Sequence, residues 1–87
     1  MTLNDYLTSD GALTVTQLRE AIGAGSDAQI RQWQHGYANR LPSPENCVAI
    51  QKATNGAVMR WDLRPDDWDR IWPELIGNPG APVKQAA

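Results

Sequence analysis

Eighty-seven residues with 41% hydrophobic content suit one domain with a small core, since a chain of this size buries about 60–65% of the surface its unfolded form exposes. A single cysteine, Cys47, excludes an intrachain disulfide, and with a single histidine, His35, it argues against a metal site. The net charge of −2 does not favour a nucleic-acid partner by itself.

In chain order, Thr2 can cap a first helix with Leu3, Tyr6 and Leu7 at helical spacing, ended by Gly11. Thr14 and Gln17 form a better capping pair. They open a second helix with Val15, Leu18 and Ile22 on one side. Gly23-Ala24-Gly25 is a turn. Ser26 and Gln29 open a third helix with Ile30 and Trp33 as core anchors, and Gly36 stops it. Residues 36–42 form a polar loop. Ser43-Pro44-Glu45 starts a fourth helix with a cap, a first-turn proline and an acid near the positive helix end. Cys47, Ile50 and Thr54 share one face of it, flanked by Val48 and Ala53. Cys47 is a small core residue here, not a reactive thiol.

Asn55-Gly56 stops the fourth helix, and Met59 to Leu63 gives one more helical turn. Trp68, Ile71, Trp72 and Leu75 have helical spacing, but Pro73 removes a backbone donor. A short helix from Asp66 or Asp67 to about Trp72 and then an extended stretch are expected. The domain is expected over residues 1–76, with residues 77–87 a disordered tail by composition. No apolar run approaches membrane length and no basic-then-apolar leader is visible. A soluble, cytoplasmic protein without a membrane partner is expected.

Helix, glycine turn and helix from Thr14 to Gly36 suggest a helix-turn-helix, and an all-α domain around it. In this reading the turn glycines leave room where two helices meet steeply. With Ile30 and Trp33 inward, Ala28, Arg31, Gln32 and His35 point outward, and Ser26, Asp27 and Gln29 flank the helix start, where side chains reach base edges. Gln29 and Gln32 can pair with adenine, and Arg31 with guanine or a phosphate. Ala28 can touch a thymine methyl, and Asp27 can accept from cytosine. Gln17 and Thr14 can hold a phosphate, as can Asn39 and Arg40 in the following loop.

Residues 1–60 carry five basic and five acidic groups, and residues 61–87 three and five. The helix-turn-helix half is therefore neutral, and phosphate attraction per subunit is weak. Useful affinity then calls for two or more subunits on one DNA. Trp61 is expected to fold back over the core. Trp68 and Trp72 are balanced between fold-back and a subunit interface, and with Ile71 and Leu75 they are the candidate oligomer contacts. The carboxylates Asp62, Asp66, Asp67 and Asp69 lack a nearby base or metal pattern, so helix capping is expected of them and no catalysis.

Proline before the fourth helix, the Cys47…Ala49-Ile50…Ala53-Thr54 run, Gly56 and above all Asp62-Leu63-Arg64-Pro65-Asp66 resemble the YdaS/Cro-like family of prophage regulators, over about residues 14–76. The resemblance implies a compact five-helix DNA-binding domain of the phage-repressor type, here with a short Trp-rich C-terminal segment. It further implies a homodimer or higher oligomer on operator DNA, with no cofactor. Members are described as Cro-like repressors or as antitoxins. The expected function is a Cro-type transcriptional repressor that blocks promoters sterically. The alternative is an antitoxin or antirepressor that binds a partner protein, such as a toxin, through the C-terminal segment. Two departures stand out. Members usually carry a small residue where Arg19 stands, and the turn is one residue longer, with Gly25 extra. The longer turn bears on the register of the contact residues.

Overall fold

A computed structural model describes residues 1–83. Among them are six α-helices, two short 3-10 turns and no strand. The helices are α1 (Leu3–Leu7), α2 (Val15–Ile22), α3 (Asp27–His35), α4 (Pro44–Ala53), α5 (Arg60–Leu63) and α6 (Trp68–Ile71). The 3-10 turns are Tyr37–Asn39 and Pro73–Leu75.

Side-chain caps set most of the helix starts. The hydroxyls of Thr2, Thr14, Ser26 and Ser43 each accept from the backbone amide three residues on. At Thr14 the box is reciprocal, because the Gln17 side chain accepts from the Thr14 amide at 2.9 Å. The first helix ends earlier than the sequence suggests. Thr8, whose hydroxyl donates to the Asn4 carbonyl at 2.8 Å, is its C-cap, and Gly11 lies in the turn beyond at φ 77°.

α2 packs on both α3 and α4, α1 packs on α3, and α5 joins α4 to α6. Leu18, Ile30, Cys47, Ile50 and Val58 at the centre are fully buried. Thr54 joins this core by donating its hydroxyl to the Ile50 carbonyl and accepting from the Val58 amide, so its polar group is matched inside the protein. The Cys47 thiol donates to the Pro42 carbonyl, and burial pushes its pKa up to about 11. It is an inert core residue.

The C-terminal segment closes the other side of this core. Trp61 and Trp68 meet edge to face, 5.8 Å between ring centroids, and the Arg60 guanidinium lies over the Trp72 ring at 5.3 Å. Trp68 is 1%, Leu75 4% and Trp72 8% exposed. These three candidate oligomer contacts are therefore buried against their own chain, and Ile71 is half-buried against the same cluster. Pro73 does not send the chain into an extended stretch as expected. It starts a 3-10 turn, where its missing amide is not needed, and Leu75 bonds back to the Trp72 carbonyl at 2.9 Å.

Part of the expected tail is also ordered. Asn78 and Ala81 amides close turns onto Leu75 and Asn78 carbonyls, and Ala81 packs on the core. Residues 84–87 of that expected tail lie outside the described residues.

Candidate nucleic-acid interface

α2 and α3 meet through the turn 23–26. The α2 helix ends in a left-handed residue, Gly23 at φ 73°, whose amide bonds back to the Glu20 carbonyl. Crowding is not what selects these glycines, contrary to the sequence expectation. A Cβ at Gly23 or Gly25 would meet nothing within 4 Å. Backbone angle selects Gly23, because other residues resist positive φ. Gly25 has neither constraint.

A polar clamp closes the turn. The Thr16 hydroxyl donates to Asp27 Oδ2 at 2.6 Å, and Arg19 Nε donates to Asp27 Oδ1 at 2.7 Å. The hydrogen bond from Thr16, then that from Arg19, holds the Asp27 carboxyl below the usual carboxylate range. Both oxygens of Asp27 are thus engaged with α2. Gln29 is also partly engaged, since its side-chain oxygen accepts from the Gly25 amide at 3.4 Å. Local patterning does not single out Thr16 or Arg19 as site residues. The signal available in the sequence was an opposite charge eight positions on, across the turn.

With Ile30 fully buried, the opposite side of α3 faces solvent. Ala28, Arg31 and His35 are exposed. The His35 ring lies 5.4 Å from the exposed Tyr37 ring. Gln32 and Gln29 are half-buried on the flank toward α4. There they line an open groove of about 300 Å³ together with Trp33, Arg40, Leu41, Ser43 and Asn46. Trp33 is a groove wall, half-buried, and not the full core anchor expected beside Ile30. The structure therefore gathers Gln29, Gln32 and Arg40 in one place, with Ala28, Arg31 and His35 on the adjoining exposed face. Ser26 and Gln17 are exposed at the starts of α3 and α2, and Asn39 is exposed in the loop at φ 54°. Leu41, Ser43 and Asn46 were not among the candidates.

The loop bearing Asn39 and Arg40 is anchored by a residue between α5 and α6. Arg64 donates through Nη1 to the Pro42 carbonyl at 2.7 Å, and through Nε and Nη2 to the Asp67 carboxylate at 3.1 and 3.0 Å. The Arg64 hydrogen bond lowers the Asp67 pKa. Asp62, three residues after Met59, accepts from the Met59 amide at 2.9 Å and starts α5. The 62–66 motif is thus a structural fastening. Its Asp62 caps α5 and its Arg64 pairs with Asp67 just beyond the motif, and no described group of three His, Cys, Asp or Glu side chains could hold a metal ion. No helix among the described residues is long and apolar enough to cross a membrane.

One short helix with a buried seam, pinned across a turn to the helix before it and exposed on its outer face, defines a helix-turn-helix domain. Residues 11–71 match the family model described as "Bacterial toxin YdaS", and the chain belongs to that family. It is 38% identical over 61 residues to the Escherichia coli (strain K12) protein described as "Putative transcriptional regulator YdaS", an overlap of 69% of this chain and 60% of that protein. The chain thus spans about 60% of that relative's length.

Proposed function

We propose that the chain is a sequence-specific double-stranded DNA-binding transcriptional repressor of Cro type, from a phage or prophage, working as a homodimer or higher oligomer. The carrying observation is the division of α3. Ile30 holds the helix to the core, while Ala28, Arg31 and His35 stand exposed beside Gln32. That chemistry suits a major groove, where arginine pairs with guanine, glutamine with adenine and alanine with the thymine methyl. Gln17 at the start of α2, Ser26 at the start of α3, and Asn39 and Arg40 in the loop are the phosphate contacts. The repressor blocks a promoter by occupying it. The relative described as a transcriptional regulator supports the same reading.

Selection from a pool of random-sequence duplexes tests it. The enriched sites should contain paired half-sites about one helical turn, 10–10.5 base pairs, apart. A pool that shows no enrichment contradicts the reading.

The second reading is a toxin–antitoxin role, favoured by the family's description as a bacterial toxin. In that case the chain acts on a partner protein through the C-terminal segment. The burial of Trp68, Trp72 and Leu75 leaves Ile76, 60% exposed, and Val83, 93% exposed, as the apolar contacts there. A toxin or antitoxin gene beside this one, with co-purification of the two products, separates this reading from the first.

A further inference from the structure

We infer that Asp27 is the positioning residue of the recognition helix, set by Thr16 and Arg19, and not one of its base readers. This rests on the duplex-DNA reading above. Thr16 and Arg19 lie about one turn apart on α2, and Asp27 is the first residue of α3. The two donors take one carboxylate oxygen each, at 2.6 and 2.7 Å. One bond would tether the start of α3; two from different points also fix its rotation about its own axis. Hydrogen bonds to an ionised partner are short and about twice as strong as neutral ones. The backbone bonds of the turn, from Gly23 to the Glu20 carbonyl and from Ala24 to the Arg19 carbonyl, tie it to α2 and not to α3. The clamp joins the two helices directly across that turn.

The clamp also settles a competition for charge. Asp27 and Arg31 are four apart on one helix, a spacing at which opposite charges pair, and Arg31 already acts on the Asp27 carboxylate through space. Arg19 occupies that carboxylate from α2. Arg31 therefore stays directed outward. Without Arg19, Asp27 draws Arg31 along the helix surface and away from the groove.

Wild-type protein, Arg19→Ala, Asp27→Asn and the double variant are titrated with the best duplex selected by the wild type, at several salt concentrations. Arg19→Ala should bind about tenfold more weakly. The double variant should bind no more weakly than Arg19→Ala alone, because its competing carboxylate is gone. The log–log salt slope should be unchanged, since Arg19 neutralises no phosphate. Additive losses in the double variant overturn the positioning role. So does a slope shallower by about 0.9 in Arg19→Ala, the mark of a lost phosphate contact. Circular dichroism checks that each variant is folded. The isosteric Asp27→Asn carries the comparison where truncation of Arg19 unfolds the chain, and its unchanged affinity then overturns the role. If wild-type protein selects no duplex, the function and this role fall together. If it does, the role fails or stands by itself.

Discussion

The two ends of this domain are built from opposite materials. The segment from Thr14 to Gly36 is held by polar devices at or near the surface: two capping pairs, the left-handed glycines Gly23 and Gly36, and the Thr16–Asp27–Arg19 clamp. Only Leu18 and Ile30 in its two helices are buried. The segment from Met59 to Leu75 is held by bulk, with Trp61, Leu63, Trp68, Trp72 and Leu75 all buried. The difference follows from what each must leave open. A helix that leaves a face exposed cannot also bury it, so polar fastenings at its ends fix its geometry. The tryptophan-rich segment offers little outward and supplies the mass against which the other is held. Arg64 links the two, reaching from the second region to the Pro42 carbonyl under the loop after α3.

Substitutions should divide along the same line, and the largest effect belongs to the buried end. Trp68→Ala should cost about 3–5 kcal/mol in urea unfolding, a large fraction of the stability of so small a domain. A loss of under 1 kcal/mol there would break the contrast. Arg64→Ala removes the link and should cost about 1.5–3 kcal/mol, because it leaves the half-buried Asp67 without its charged donor. Thr14→Ala, at the polar end, should cost about 1 kcal/mol through loss of the cap. Arg31→Ala should change stability by no more than about 0.5 kcal/mol, as exposed positions do, while still affecting any DNA complex.

Acid should act on both regions alike. Asp27 and Asp67 are each held below their ordinary value of 3.8 by hydrogen-bonded partners. A lowered folded pKa means stability that is present above the unfolded value and lost as pH falls through the folded one. Thermal unfolding should therefore show these two contributions intact above about pH 5 and fading below about pH 4. Arg64→Ala should reduce the slope in that window, and an unchanged slope would show that Asp67 contributes nothing to it.

Local rules made much of the fold legible in the sequence. Caps at Thr2, Thr14, Ser26 and Ser43, the proline at the start of α4 and the helix stop at Asn55-Gly56 each depend on neighbours within a few residues. The sequence placed all of these elements within a residue or two. The misses are tertiary. Trp33 has the spacing of a core residue, but the loop with Arg40 and Leu41 stands off from it and leaves a groove. Trp68, Trp72 and Leu75 form an apolar stripe that fits a subunit interface or a core equally well, and their packing into the core cluster with Trp61 decides for the core. Asp27 stands where a base reader would stand, and only the approach of Thr16 and Arg19 from another helix shows it engaged. The exposed face of α3 was legible because it is the complement of the buried seam at Ile30.

The central claim is that this exposed face meets DNA through Arg31 and Gln32. Titration of one selected duplex with wild-type protein, Arg31→Ala and Gln32→Ala tests it most directly. The account predicts a loss of about 1–3 kcal/mol in binding for each variant that loses a base contact, with unfolding midpoints unchanged and wild-type affinity falling steeply with salt. Wild-type affinity retained by both folded variants would contradict it.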